Sequence, residues 1–377
     1  MMSGKPHIVI VGAGMLGLAH ALAAAERGYR VDVYERDSQA LGASVRNFGL
    51  GLHLGHARGE MLELARASLQ RWRQLLPELG IWYKQHGCLL LARNAQEADI
   101  IACFQETLGQ EYDTQLLKPS DLPTAIWQNG APVSALSALS SPHEIGFASA
   151  QLIPRLSAWL QETKDVRIHY QCAVLGITEQ TLHTARGSVT ADHILLCSGH
   201  EFRHLMPHLY ADSGIRLCSL QMQELAIAPR RIAPTLLTGL SCLHYPAFQQ
   251  TPELQKLTDA YQRQLHQEYP DILKNGIHLI IQQFDDPSRI IVGDTHHYGA
   301  DANVFQSEAS DLILRELCSD VLQTPVTPLR RWQGVYASAA HPYQVLHPQP
   351  GLTAINMTSG IGMSVGLALA AQVIESL

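Results

Sequence analysis

Near its start the chain has two short hydrophobic segments, and a pattern typical of a helix lies between them. His7 to Val11 is a short run rich in β-branched residues, which indicates a buried strand. Apolar positions with helical spacing follow from Met15 to Arg27, and Gly28 closes that pattern. Val31 to Glu35 forms a second strand-like run. The order strand, helix, strand predicts a β-α-β unit with parallel strands.

Hydrophobic runs in the rest of the chain predict further strands. Val166 to Ile177 alternates like a strand, with Val174 near its middle. Asp192 to Gly199 is a buried run that ends in a turn of small residues, and we expect it to join the first sheet. Strands outside this unit are predicted for Leu217 to Ile227, Ile277 to Phe284 and Arg289 to Gly293, with Ser288 turning between the last two.

Glycines mark the turn between the first strand and its helix. Gly12 allows a tight turn, Gly14 lets a phosphate approach the backbone, and Gly17 lets helix and strand pack closely. Glu35 ends the second strand, where it can accept hydrogen bonds from ribose hydroxyls and disfavours a 2′-phosphate. The motif predicts a dinucleotide site, and by itself it leaves NAD and FAD open.

A second glycine-rich loop opens the last helical pattern of the chain. It runs from Ser359 to Gly366, and it either serves tight helix packing or forms a second wall of one long cofactor site. In the second interpretation, the helix N-terminus would stabilise negative charge on a reduced ring.

Composition excludes several classes of protein. The chain has 377 residues, 46% of them hydrophobic, with a net charge of −7 and no basic run, so we expect two or three globular domains and no nucleic-acid partner. Seven scattered cysteines without a CxxC pair predict neither disulfides nor zinc, and favour a reducing cytoplasm. Ile8 to Ala25 is apolar but interrupted by glycines, so no integral membrane segment is expected. His296 and His297 lack a carboxylate at metal-ligand spacing, so we expect no metal site.

The motifs together resemble a known family. Gly12, Gly14, Gly17, Ala21 and Gly28 resemble the extended fingerprint of FAD-binding oxidoreductases. The chain as a whole resembles the D-amino-acid oxidase, glycine oxidase and sarcosine oxidase superfamily. Besides the fingerprint, the motifs that carry this resemblance are Ser44 to Asn47, Leu196 to Gly199, Ile291 to Thr295, Arg331 to Gly334 and Ser359 to Ser364.

This resemblance implies an α/β fold, α+β overall, with two domains. A Rossmann-like FAD-binding domain would be discontinuous, comprising residues 1–80, 143–205 and 326–377. A mostly antiparallel-sheet substrate domain would comprise residues 81–142 and 206–325. Non-covalent FAD would contact Gly12, Ala13, Gly14, Met15, Gly17, Glu35, Arg36, Ser44, Val45, Arg46, Asn47, Val174, Cys197, Ser198, Gly199, Gly334, Gly360, Ile361, Gly362, Met363 and Ser364.

The substrate side departs from the amino-acid oxidases of this family. They commonly carry an arginine that grips the substrate carboxylate two residues after the Trp-x-Gly glycine, where this chain has Tyr336. Ser44 to Gly49, followed by His53 and His56, and Tyr245-Pro246 are similar to a branch associated with aminophosphonate catabolism. The residues expected to act on the substrate are Arg46, His53, Tyr245, Arg331 and Tyr336, with His296 as a further candidate.

Alternative roles remain for some of these residues. Arg46 could contact the flavin instead, and His53 and His56 could be ordinary loop histidines.

The resemblance implies an FAD-dependent amine oxidoreductase. Hydride transfer to flavin from a C–H next to the amine would give an imine, which water hydrolyses to a carbonyl compound. An aminophosphonate, either 2-aminoethylphosphonate or an N-methyl or hydroxy derivative, is the expected substrate, and oxygen or a quinone the expected electron acceptor. The alternatives are an oxidase or dehydrogenase of glycine, sarcosine or D-amino acids, an FAD aromatic hydroxylase suggested by Gly293-Asp294, and a non-catalytic flavin-binding sensor.

Overall fold

The computed structural model describes residues 5–127 and 133–377. The strands, in chain order, are β1 His7–Val11, β2 Arg30–Tyr34, β3 Leu50–Gly51, β4 Tyr83–Gln85, β5 Cys88–Ala92, β6 Gln115–Leu117, β7 Ser137–Ser141, β8 Ile145–Phe147, β9 Arg167–His169, β10 Val174–Thr178, β11 Thr181–Thr184, β12 Gly187–Thr190, β13 His193–Leu196, β14 Arg216–Ala226, β15 Thr235–Thr238, β16 Ile280–Gln282, β17 Arg289–Gly293, β18 His297–Gly299, β19 Thr327–Gln349 and β20 Leu352–Ser359. The helices are α1 Met15–Glu26, α2 Glu60–Leu79, α3 Ala95–Tyr112, α4 Leu122–Ile126, α5 Ser149–Lys164, α6 Ser241–His244, α7 Pro252–Glu268, α8 Pro270–Lys274, α9 Glu308–Leu322 and α10 Gly362–Glu375, and short 3₁₀ turns span Ala43–Val45, Gly199–Glu201, Pro207–Tyr210 and Pro246–Gln249.

Most of the strands form one large mixed sheet, in the order β6-β7-β5-β15-β16-β17-β14-β19-β20-β13-β1-β2-β9, and β18 pairs with β14 beside this path. Two small antiparallel sheets, β10-β11-β12 and β3-β8-β4, accompany it. The predicted α/β fold, with an antiparallel region beside a Rossmann-like region, is confirmed.

The parallel region contains the predicted β-α-β unit. β1 pairs in parallel with β2 on one side and with β13 on the other, and β13 pairs in parallel with β20. β1 is buried along its whole length, as expected for a strand covered on both faces. The run from Asp192 to Gly199 therefore joins the first sheet as predicted.

The predicted strand from Val166 to Ile177 is wrong as a single element. The chain forms β9 beside β2 and then β10 in a separate sheet. Between them, Gln171 has a φ of 52°, in the left-handed region that a continuous strand cannot use. The backbone N–H of Cys172 donates to the Glu35 carbonyl at 2.9 Å, which ties this turn to the end of β2. Val174 begins β10 instead of lying within a longer strand.

The antiparallel region contains the other predicted strands. β14 pairs antiparallel with β17 and β19, and β16 pairs antiparallel with β17. The run from Ile277 to Phe284 forms a strand only over β16. β19 is 23 residues long, and its first part pairs with β14 while its second part pairs with β20. This one strand therefore connects the antiparallel and parallel regions.

Separate hydrophobic clusters lie in the two regions. One contains Ile8, Leu18 and Ile355 of the parallel region, and the other contains Leu90, Phe104 and Ile281 of the antiparallel region. The predicted division into two domains agrees with this separation, although the domain boundaries stay a prediction. Over the described part of the chain, we find no helix of the length and apolarity needed to cross a membrane.

Candidate active site

A cavity of about 340 Å³ lies between the parallel and antiparallel regions. On one side it borders the carboxyl ends of β1, β2, β13 and β20, where ligands of open α/β sheets bind. On the other side it borders β14, β16 and β19. The predicted residues that line it are Gly12, Gly14, Met15, Glu35, Arg36, Ser44, Arg46, Asn47, Val174, Cys197, Ser198, Gly199, Tyr245, His296, Gly334, Tyr336, Gly360, Ile361, Gly362 and Met363.

The first glycine loop depends on two positions that admit no side chain. Gly12 has a φ of 97°, and a Cβ added to it would lie 2.6 Å from the Cys197 carbonyl oxygen. A Cβ on Gly17 would lie 1.8 Å from the Gly12 carbonyl oxygen, so Gly17 permits the close packing of α1 against the loop. Gly17 does not line the cavity and acts through this packing.

Glu35 lies at the end of β2 with 8% of its surface exposed. Its Oε2 accepts a hydrogen bond from the Ala13 N–H at 2.9 Å, and its Oε1 accepts one from the Asp37 N–H at 3.1 Å. Ala13 therefore lies behind the cavity wall and holds the carboxylate. Because Glu35 itself lines the cavity, its carboxylate is available to ribose hydroxyls.

The segment after β2 is fixed to the first loop. The Met15 N–H donates to Ser44 Oγ at 2.8 Å, and Asn47 Nδ2 donates to the Ala43 and Ser44 carbonyls at 2.9 Å. Arg46 Nη1 donates to the Gln333 carbonyl at 3.3 Å, and no carboxylate of the described residues lies within ion-pair distance of its guanidinium. Val45 packs into the core of the parallel region outside the cavity.

The second glycine loop reaches the cavity from the end of β20. Gly360 has a φ of 72°, and a Cβ on it would lie 3.1 Å from the Tyr336 ring. α10 begins at Gly362 without a side-chain cap, as α1 begins after Gly14 without one. Ser364 lies outside the cavity, where its Oγ accepts a hydrogen bond from the Leu52 N–H at 2.9 Å.

Four buried or half-buried polar side chains meet at the antiparallel end of the cavity. They are His244, His278, Asp294 and His296, and all four line it. His278 Nε2 lies 3.1 Å from Asp294 Oδ1, and His296 Nε2 lies 3.9 Å from Asp294 Oδ2. We call these four residues the His/Asp cluster. Only His296 of the four is a candidate from sequence, because the other three lie on segments that only the fold brings together.

The features of the cavity suit an FAD. Its bare glycine backbone and two uncapped helix N-termini suit a pyrophosphate and a ring that gains negative charge, and the Glu35 carboxylate suits a ribose. The model of the FAD dependent oxidoreductase family, DAO, matches residues 7–376. The chain belongs to the DAO family. It is an FAD-dependent oxidoreductase.

Solved structures of similar fold agree with this membership. Glycine oxidase from Geobacillus kaustophilus has a TM-score of 0.75 and 17% identity, with 99% of this chain and 95% of that chain covered. L-proline dehydrogenase from P. horikoshii has a TM-score of 0.76 and 16% identity, with coverages of 98% and 92%. Iminodiacetate oxidase from Chelativorans sp. BNC1 has a TM-score of 0.72 and 16% identity, with coverages of 98% and 95%. At these identities the likeness shows the fold alone, and no curated protein matches the chain.

Two residues expected to contact the substrate lie elsewhere in this DAO-family oxidoreductase. His53 is 1% exposed, and its ring lies against His143 and Tyr112 instead of the cavity. Burial, helped by His143, lowers the pKa of His53 to about 3. Arg331 is paired with Glu308 and Asp311, the latter at 3.2 Å, and does not line the cavity. The positions of His53 and Arg331 therefore disagree with a substrate role.

His56, the other histidine of that segment, is also buried away from the cavity. Its Nε2 lies 3.1 Å from the Leu52 carbonyl oxygen, and burial lowers its pKa to about 4. His56 therefore has the ordinary structural role that the sequence left open.

The two tyrosines of the expected set do line the cavity. Burial raises the pKa of Tyr245 and of Tyr336 above the ordinary tyrosine value, so both hydroxyls remain hydrogen-bond donors at neutral pH. Tyr336 lies on β19 opposite Cys218 of β14. A donor hydroxyl therefore stands in the cavity at the position where the sequence resemblance implied an arginine.

Proposed function

We propose that this oxidoreductase oxidises an amine that carries an anionic group, and that the anionic group is a phosphonate. The C–H bond next to the amine would lose a hydride, and the resulting imine would be hydrolysed to a carbonyl compound. The observation that carries the proposal is the guanidinium of Arg46, which pairs with no carboxylate among the described residues, in a cavity where Tyr336 replaces the expected carboxylate-binding arginine.

FAD, when bound, accepts the hydride. The chain's own residues hold the cofactor and position the substrate. The two glycine loops and Glu35 would hold the dinucleotide, and the N-terminus of α10 would stabilise negative charge on the ring. Positioning the amine and the anion at fixed points supplies much of the rate enhancement.

The charges along the cavity favour Arg46 as the anchor for the anion. Arg36 also lines the cavity, but its guanidinium donates to Glu201 Oε1 at 3.0 Å and lies 3.4 Å from Asp37. Within residues 5–127 and 133–377, the Arg46 guanidinium donates only to the Gln333 carbonyl, so most of its five N–H donors can serve a ligand. Phosphonate oxygens match a guanidinium in two parallel hydrogen bonds, and the hydroxyls of Tyr245 and Tyr336 can supply further donors.

An amino acid is the second candidate substrate. Two solved structures with the same fold are described as a glycine oxidase and an L-proline dehydrogenase. A carboxylate could also pair with Arg46, which would then replace the missing arginine. The aromatic-hydroxylase alternative rests on the Gly293-Asp294 pair, whose Asp294 lies in the His/Asp cluster at the antiparallel end of the cavity.

An anaerobic titration tests the proposal. The flavin absorbance of the holoenzyme would be followed with 2-aminoethylphosphonate, its N-methyl and 1-hydroxy derivatives, glycine, sarcosine and D-alanine. We expect bleaching by at least one aminophosphonate at concentrations where the amino acids are inactive. Bleaching by the amino acids alone would refute the phosphonate assignment and favour the second candidate. If no amine bleaches the flavin, the proposal of amine oxidation fails.

The electron acceptor can be identified with the same material. Reoxidation of the bleached enzyme would be compared between dissolved oxygen and a soluble quinone. We propose one of these two as the acceptor, and the faster reaction identifies it.

A further inference from the structure

The carboxylate of Asp294 is buried without a hydrogen-bond partner for one of its oxygens. Asp294 is 4% exposed, and its Oδ1 makes no hydrogen bond within the described residues. His278 Nε2 lies 3.1 Å away but outside hydrogen-bond geometry. A buried carboxylate oxygen without a partner is costly, so such an atom needs an explanation. Since Asp294 lines the cavity, a ligand is the partner to consider.

The histidines around Asp294 present acceptor atoms. His296 Nδ1 lies 3.0 Å from the Gly276 carbonyl oxygen, which only accepts hydrogen bonds, so this nitrogen carries the ring hydrogen. Burial, reinforced by His278, lowers the pKa of His296, and burial also holds the pKa of His244 well below the ordinary value. Both rings are therefore neutral at pH 7. The Nε2 of His296 is then a lone-pair acceptor on the side of Asp294.

Ring orientation argues against a metal ion at this place. The ring nitrogens of His244, His278 and His296 lie within 4.8 Å of one another. However, the rings of His244 and His278 are stacked at 4.2 Å with an interplanar angle of 16°, and those of His278 and His296 at 5.2 Å with 27°. Imidazole lone pairs lie in the ring plane, so lone pairs of stacked rings run side by side and do not converge on one ion. The sequence expectation of no metal site considered only His296 and His297, and it stays a prediction.

A carboxylate beside the neutral imidazoles of His244 and His296 is complementary to a ligand that is positively charged and donates hydrogen bonds. An alkylammonium group has both properties. Arg46 lines the same cavity, and its guanidinium pairs with no carboxylate of the residues that the structure describes. The cavity lining thus offers one group for a cation and one for an anion, as a substrate with both would require.

We propose that Asp294 binds the ammonium group of the substrate and accepts its proton. This inference rests on the proposed function and assigns the amine-binding residue of that site. In the step, an N–H bond of the ammonium breaks, an O–H bond forms at Asp294 Oδ1, and the electron pair stays on nitrogen. The amine is then neutral and carries the lone pair that loss of a hydride from the neighbouring C–H bond requires. His296 Nε2, the lone-pair acceptor on this side of Asp294, can accept a hydrogen bond from one of the remaining N–H groups.

Several titratable groups face Asp294 from the surrounding elements. His244 is the last residue of α6, and Tyr245 follows it. His278 lies just before β16, and His296 lies just before β18. Cys218 of β14 and Tyr336 of β19 complete the surroundings. Burial raises the pKa of Cys218 to about 12, and it raises that of both tyrosines too. Among these residues, Asp294 alone carries a carboxyl group, so it is the acidic residue of this end.

Asp294→Asn tests the assignment, because it removes the proton acceptor with little change in shape. We expect the rate of flavin reduction by the best amine substrate to fall at least about 100-fold at pH 7. Asp311→Asn is the matched control, since it makes the same change at a buried aspartate outside the cavity. It should reduce the rate less than about threefold.

The pH profile separates proton transfer from a structural effect. The neutral fraction of an alkylamine with a pKa near 10.4 rises a few hundred-fold between pH 7 and pH 9.5. The Asp294→Asn rate should therefore recover over this range until it is within about tenfold of wild type, while the profile of Asp311→Asn follows wild type. A deficit for Asp294→Asn that is the same at all pH values would refute the proton-accepting role, and a wild-type rate at pH 7 would refute the inference entirely.

A second variant, Asp294→Glu, keeps the assignment testable if Asp294→Asn loses its flavin. Asp294→Glu keeps a carboxylate but displaces it by one methylene, so we expect a rate at least about tenfold below wild type with a wild-type pH profile. A wild-type rate for this variant would count against the assignment. An amine that reduces wild type and Asp294→Asn equally fast overturns this inference and leaves the proposed function intact. If no amine reduces wild type, both fail.

Discussion

The two ends of the cavity differ in the groups that line them. The dinucleotide end consists largely of backbone, with glycines that admit no Cβ and helix N-termini that carry no side-chain cap. The amine end consists of side chains, in particular Asp294 and the histidines around it. The first end should therefore be sensitive to added atoms, and the second to lost charges and hydrogen-bonding groups. Substitutions that add volume or remove charge can test this difference.

The largest effect is expected where one atom is added to the dinucleotide end. In Gly17→Ala, the new Cβ would lie 1.8 Å from the Gly12 carbonyl oxygen, so α1 or the loop must shift. We expect the free energy of unfolding to fall by about 3 kcal/mol and the bound flavin to be lost. Flavin absorbance per protein and urea unfolding measure both effects.

Gly176→Ala is the control for that substitution. No atom lies within 4 Å of its added Cβ, and its φ is not positive. It should retain stability and flavin. Full flavin content in Gly17→Ala would contradict the importance of close packing at this end.

Acid should destabilise the dinucleotide end through His20 of α1. Burial lowers the pKa of His20 to about 4, and its Nε2 has no partner among the described residues. The unfolded chain, with an ordinary pKa of about 6.5, binds a proton that the folded chain excludes, so stability is lost as the pH falls from 6.5 towards 4. Between pH 7.5 and 4.5 this histidine should account for about 2 to 3 kcal/mol.

Urea unfolding at the two pH values tests this expectation. His20→Leu should reduce the pH dependence by that amount, whereas His266→Leu, at an exposed position of α7, should leave it unchanged. An equal pH dependence in His20→Leu and wild type would locate the acid sensitivity in other histidines.

Removal of the positive charge of Arg46 should weaken substrate binding without affecting the fold. Arg46→Met removes the guanidinium that pairs with no carboxylate of the described structure. The Kd of 2-aminoethylphosphonate, measured by perturbation of the flavin spectrum, should rise about 10- to 100-fold, because hydrogen bonds to charged groups contribute about 1.5–3 kcal/mol. Arg331→Met is the matched control, because Arg331 lies outside the cavity, and it should change the Kd less than about twofold.

Loss of flavin in Arg46→Met would instead assign Arg46 to the dinucleotide end. That outcome would settle the alternative that the sequence leaves open, and it would remove the main support for the anion anchor.

A charge change at the dinucleotide end should have the smallest effect. Glu35→Gln retains an oxygen that can accept from the Ala13 N–H but loses the negative charge. We expect the Kd of FAD to rise about fivefold, corresponding to about 1 kcal/mol, measured by fluorescence titration of the apoprotein. A rise as large as the one for substrate in Arg46→Met would contradict the contrast between the two ends.

The dinucleotide end was the more predictable one because its signals are contiguous. The strand His7–Val11 has the predicted bounds, and the glycines, Glu35 and the loop before α10 all reach or support the cavity. A glycine motif between a strand and a helix specifies backbone geometry locally, so a short window of sequence contains the information.

The amine end could not be assembled from sequence, because its residues come from distant segments. His244, His278 and Asp294 converge only after β14, β16 and β17 have paired. Arg331 was misplaced because it lies close in sequence to Gly334, although its side chain is paired with Asp311. The strand predicted at 166–177 failed because alternation does not reveal the left-handed residue Gln171 that divides it.

The wide separation of the two glycine loops also has a consequence for biosynthesis. Gly12 and Gly360 border one cavity, yet the ribosome makes the first loop 348 residues before the second. A nascent chain therefore lacks one wall of its cofactor site until the second loop has been synthesised. Flavin incorporation should accordingly follow synthesis of the second loop, and it would distinguish chains that contain both loops from shorter translation products.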